Sequence, residues 1–241
     1  MIRNASSLPR FLDARELAAL GVVFGANAVV HRVLPGATHV PANLLAAGGV
    51  LALAATAGVS VAELGLDPHR VGAGARAGAI AGAAIGAAVG AAIAVPATRG
   101  HFVDRRVGDV DRRRARYELL VRIPLGTALA EELLFRSGLT ALFGRRRAWP
   151  VAVAASAAVF GLWHVLPTVE SLATHPVGVR LAARRAHSAG AVAGVVATTA
   201  VAAVALSLLQ RRAQHVLAPV LAHAVLNGST YAASRFVARA G

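Results

Sequence analysis

The chain has no cysteine and no lysine, and aromatic residues make up only 5% of it. Without a thiol there is no disulfide, no thiolate metal site and no cysteine nucleophile. Acidic residues are also scarce, 11 against 25 basic ones, and every basic residue is arginine, giving a formal net charge of +14. A basic excess of this size can mark a nucleic-acid binder. Here, however, the arginines gather in short stretches between apolar runs, where attraction to a membrane surface accounts for them. Nucleic acid is therefore not expected as a partner. What the chain has in abundance is apolar surface: 56% of its 241 residues are hydrophobic. In several long runs, that composition predicts an all-α fold, a polytopic helical bundle with the lipid bilayer as its solvent. The lysine-free, alanine- and arginine-rich usage further suggests a bacterial source, hence a multi-pass protein of the bacterial cell membrane.

About seven transmembrane helices are expected, near residues 17–34, 42–62, 75–95, 117–143, 149–166, 190–209 and 216–237. The first is read as a retained span rather than a signal peptide, because Asp13 and Glu16 precede it and Asn27 and His31 lie within it. Along the third, Gly74, Gly78, Gly82, Gly86 and Gly90 recur every four residues. In lipid such a ridge lets another backbone come close, so it is read as helix packing. The arginine-rich loop at 98–116 separates an N-terminal part, 1–116, of membrane helices and basic interfacial loop from a core at 117–241. Loop arginines divide too evenly between the two sides to fix an orientation.

The fourth run contains Glu131-Glu132-Leu133-Leu134-Phe135-Arg136. Three charges at bilayer depth are costly, roughly 2.5–3.5 kcal/mol each on insertion scales, so they are expected to be paired, used, or both. Glu132 and Arg136 are four apart and meet on one helical face. They read as a buried ion pair, which leaves Glu131 for chemistry. Two further runs each present a polar stripe: Phe160 and His164 one turn apart in the fifth, His223 and Asn227 one turn apart in the seventh. The economical arrangement turns all three stripes toward one another. His31 is read as a packed core histidine, and His39, His69, His101, His175, His187 and His215 as loop or helix-end residues.

A carboxylate beside an imidazole can deprotonate water, and a second histidine with an asparagine amide can donate to an oxyanion. One carboxylate and two histidines, here Glu131, His164 and His223, can equally hold zinc and leave a position open for water. The spacing does not separate the two mechanisms. Neither HExxH nor G-x-S-x-G is present.

EELLFR, FGLWH and HAVLN resemble, in order, the EExxxR, FxxxH and HxxxN motifs of the CAAX-protease and bacteriocin-processing (Abi) family, which includes the type 2 CAAX prenyl endopeptidases. The resemblance spans roughly residues 117–235. It implies an intramembrane endopeptidase that hydrolyses a membrane-associated peptide or protein. Carried onto this chain, it makes Glu131 and His164 the water-activating pair and His223 and Asn227 the oxyanion donors, with Glu132, Arg136 and Phe160 in support. No cofactor is favoured, zinc is the alternative, and the glutamate mechanism is preferred. The competing reading is a non-catalytic immunity or scaffold protein whose polar network is structural. A transporter with a proton relay would call for inverted repeats, which the halves do not show.

Overall fold

A computed structural model describes residues 12–104, 107, 110–174 and 185–240. Residues 1–11 and Arg105, Arg106, His175, Arg180 and Arg184 lie outside the described residues. All regular structure among the described residues is helical. In chain order the helices are α1 (Ala14–Arg32), α2 (His39–Thr56), α3 (Val71–Ala94), α4 (residues 112–144), α5 (Trp149–Trp163), α6 (Val165–Thr174), α7 (Arg185–Ala213) and α8 (Leu217–Ala240). The protein is therefore an all-α membrane bundle.

Among the described residues, four helical segments are long and apolar enough to cross a bilayer: Gly36–Thr56, Pro68–Ala94, Trp149–Leu172 and Ser188–Ala213. The other three expected spans correspond to α1, α4 and α8. These are the helices that carry Glu16, Glu118, Glu131, Glu132, Arg136, His223 and Arg235, all buried. Large apolar side chains point outward instead: Leu45 is 77% exposed, Leu120 71% and Val201 71%. Charge inside and leucine outside is the arrangement lipid favours over water.

The helices begin where local chemistry predicts. Asp13 caps α1 by accepting from the Glu16 amide, and the Glu16 carboxylate returns the bond to the Asp13 amide. That reciprocal cap satisfies two donors that a helix start leaves open. The same Glu16 is fully buried and pairs with Arg147 in the turn before α5. This bond holds the Arg147 guanidinium above its ordinary pKa.

α4 is one continuous helix with two π-helical stretches, Glu118–Leu129 and Glu132–Leu139. Pro124, which the sequence marks as a kink or broken entry, falls in the first. At the end of the second, the Phe135 carbonyl accepts from the Thr140 amide, the Thr140 hydroxyl at 2.8 Å and the Ser156 hydroxyl at 3.0 Å. π-helical widening is rare and concentrates at functional sites. Phe135 itself is fully buried and meets Phe160 and Trp163 edge-on, at 5.0 and 5.6 Å between centroids. Leu134, Leu139, Leu142, Val50 and Val23 complete this core.

The glycine ridge of α3 packs against α8. A Cβ at Gly74 would come within 2.9 Å of His215 Cβ, one at Gly78 within 2.9 Å of the Ala218 carbonyl, and one at Gly82 within 3.0 Å of Val225. Toward the far end the helices part: a Cβ at Gly86 would sit in ordinary contact, and one at Gly90 in open space. The ridge thus sets the position of the helix that carries His223 and Asn227.

Candidate active site

Glu131 and Glu132 occupy the junction between the two π-helical stretches of α4. Their side chains go different ways. Glu132 is fully buried; its Oε2 lies 3.1 Å from Arg136 Nε, and its Oε1 lies 2.7 Å from His223 Nδ1. The expected Glu132–Arg136 pair is present, and it is extended across helices to α8. That second bond, between residues 91 apart in sequence, had no signal in the sequence. Arg136 also stacks its guanidinium 4.1 Å from the centre of the Phe160 ring. Phe160 in turn lies edge-on to His164 at 4.6 Å and to His223 at 6.5 Å. Phe160 therefore packs against the guanidinium and both imidazoles.

Glu131 is 7% exposed, and its Oε2 has no hydrogen-bond partner. That oxygen lies 4.0 Å from His223 Nε2. The gap is too long for a direct bond and of the right size for one water to touch both groups. Glu131 and His164 line the same cavity, of about 220 Å³. His164 sits at the break between α5 and α6, where its amide bonds Gly161 O and leaves Phe160 O to its own Nδ1 at 2.8 Å. Asn27 of α1 secures the same break by donating to the Trp163 carbonyl at 2.8 Å.

These bonds assign the imidazole tautomers. A carbonyl and a carboxylate only accept, so Nδ1 of both His164 and His223 carries a proton. In the neutral form each Nε2 then presents a lone pair. His223 can donate from Nε2 only as an imidazolium, beside the Glu132 carboxylate. The donor types of Glu131, His164 and His223 suit zinc, but among the described residues no three acidic or imidazole groups lie close enough together to hold a metal ion.

Asn227 is placed apart from the other three. It lines a neighbouring cavity of about 530 Å³ with Glu118 and Tyr231. Arg122 lines both cavities, and it pairs with the buried Glu118 at 2.9 Å. Glu131 thus lies 4.0 Å from His223 and shares a cavity with His164, while Asn227 lines the neighbouring cavity that Arg122 also borders.

The N-terminal helices contribute more than the sequence reading assigned them. His31 of α1 and His39 and Asn43 of α2 line the Glu131–His164 cavity. His31 Nδ1 lies 2.9 Å from Glu170 Oε2, which ties α1 to α6. Asn43 donates to the Gly126 carbonyl at 2.9 Å, and its buried Oδ1 has no partner. The polar positions in two apolar runs were the available signal, but residues at helix ends are ordinarily polar.

The class these observations define is a helical membrane bundle with buried carboxylates and imidazoles gathered in its interior. Residues 115–229 match the model of the type II CAAX prenyl endopeptidase Rce1-like family. The matched segment contains Glu131, Glu132, Arg136, Phe160, His164, His223 and Asn227. No curated protein and no solved structure matches the chain.

Proposed function

We propose that the protein is an intramembrane endopeptidase in which Glu131 and His164 activate a water for attack on a peptide bond of a membrane-associated peptide or protein. The observation that carries this reading is the orphaned Glu131 Oε2, buried 4.0 Å from His223 Nε2, on a residue that lines the same cavity as His164. A buried carboxylate oxygen without a partner is expensive unless water or substrate fills the place. In the proposed step the water oxygen bonds to the carbonyl carbon and its proton passes to Glu131. The tetrahedral oxyanion is held by the His223 imidazolium and, once Arg122 moves aside, by the Asn227 amide. Collapse breaks the C–N bond, and the proton goes to the leaving nitrogen. Glu132, Arg136 and Phe160 are positioning residues. No step is routed through a metal. The bacterial cell membrane is the proposed setting, and its own peptides and proteins are the proposed substrates.

The test is cleavage of a panel of membrane-anchored peptides by protein reconstituted in liposomes, read by mass spectrometry. The wild type is expected to release defined products, with kcat/KM about 10³-fold lower in Glu131→Gln, the usual scale for losing a general base. Equal cleavage by the variant would refute the assignment. A folded wild-type protein that cleaves nothing while binding the same peptides would favour the immunity or scaffold reading.

A further inference from the structure

A second cavity, of about 320 Å³, opens between the end of α7, the start of α5 and the turn between α2 and α3. Its inner wall is the other side of Arg136. That residue is 3% exposed, its Nε faces Glu132, and neither Nη1 nor Nη2 has a hydrogen-bond partner. The cavity is also lined by Gln210, 9% exposed, whose amide nitrogen reaches the Leu64 carbonyl at 3.4 Å. Because that partner is a carbonyl, the amide orientation is fixed, and the buried Oε1 is left without a donor. Two residues that line this cavity thus carry buried, unpartnered polar atoms: guanidinium donors on Arg136 and an amide oxygen on Gln210.

The outer wall carries residue types suited to a membrane surface. Trp149 starts α5, and the Arg211 guanidinium lies 4.1 Å over its ring. Tryptophan and arginine pairs of this kind mark the headgroup layer. Glu63, exposed in the α2–α3 turn, stands on the rim. Its carboxyl is held below the usual range by hydrogen bonds from the Ser60 amide and hydroxyl, so it remains an anion on the rim.

We propose that this cavity binds the headgroup of a phospholipid bearing a primary amine. The phosphate would sit on Arg136 and Arg211, and the ammonium on Gln210 Oε1 and Glu63. Phosphate alone would satisfy the arginines and leave Gln210 Oε1 facing an anion. A choline headgroup offers no N–H to that oxygen. The site is separate from the Glu131–His164 cavity and stands whether or not the protein is a peptidase.

The experiment is thermal unfolding of the detergent-solubilised full chain with added phosphatidylethanolamine, phosphatidylcholine, phosphatidylglycerol or inorganic phosphate. Phosphatidylethanolamine is expected to raise the unfolding temperature by about 5 °C more than phosphatidylcholine when well above its dissociation constant. Gln210→Leu removes the acceptor and should abolish that difference. Ala141→Leu fills the cavity from a wall position that makes none of the proposed contacts, and should do the same if Gln210→Leu fails to fold. Equal shifts with ethanolamine and choline lipids, a difference retained in both folded variants, or a full shift with inorganic phosphate would each overturn the proposal.

Discussion

In the proposed mechanism, two adjacent glutamates divide the work at the level of single residues. Glu132 is ion-paired with Arg136 through one oxygen and hydrogen-bonded to His223 through the other, and is fully buried. Removing its charge leaves a guanidinium without its counter-ion, at a cost of about 3–5 kcal/mol for a broken buried pair. Glu131 has an oxygen with no partner to lose. Glu132→Gln is therefore expected to lower the unfolding temperature strongly, while Glu131→Gln leaves it unchanged or raises it. For cleavage the ranking reverses per folded molecule, with Glu131→Gln the more severe. Thermal denaturation and cleavage measured on the same two preparations check this, and equal effects on both readouts would contradict it. The motif residues were legible in the sequence because charge in an apolar run is costly and so has to be explained. The Glu132–His223 bond was not legible, since nothing local ties residues on α4 and α8. Nor were His31, His39 and Asn43, which sit where polar residues need no special reason.

Among the helices, the pairing of α3 with α8 carries the site. The four-residue glycine spacing was readable as a packing ridge, but its partner was not, because small residues record closeness and not identity. The structure makes α8 the partner, so the ridge acts on His223. Gly78→Leu would force its side chain into the Ala218 carbonyl and Leu221, both 2.9 Å from a Cβ at that place. It is expected to separate the helices and remove both stability and cleavage. Gly90→Ala meets nothing within 4 Å and should be neutral, or stabilising by up to about 1 kcal/mol from reduced backbone freedom. Unfolding curves of the two variants test the ridge; similar outcomes would show that it does not bear on packing. The π-helical widening of α4 left no trace in the sequence beyond Pro124, since the same residues fit an ordinary helix. Nor could the partition between the two cavities at Arg122 be foreseen, because Arg122 lies in an apolar run where only depth, not facing, was readable.

Taken whole, the molecule ties its membrane-surface turns to its interior. His215, between α7 and α8, is buried against Gly74, and its Nδ1 accepts the Leu217 amide at 3.1 Å. Burial lowers its pKa, with Asp67 opposing in part. The fold thus favours neutral His215. Its stabilising contribution is complete above the unfolded histidine value of about 6.5 and is lost as pH falls below that toward the lowered folded pKa. Wild-type unfolding temperature should fall between pH 7.5 and 5, and His215→Asn should flatten that dependence over the same interval; parallel curves would remove His215 from the account. Activity should survive dialysis against EDTA, and recovery of a chelated enzyme by added zinc would replace the glutamate mechanism with a metal-dependent one.

The bundle's purpose, on this account, is to keep one solvent molecule between an acid and two imidazoles beneath the lipid surface. An experimental structure in a bilayer mimetic, at a resolution that shows ordered solvent, measures this most directly. The expected result is a water within about 3.2 Å of both Glu131 Oε2 and His223 Nε2, in the cavity lined by His164. A Glu131 carboxylate bonded to a protein group, with that cavity dry, would contradict it.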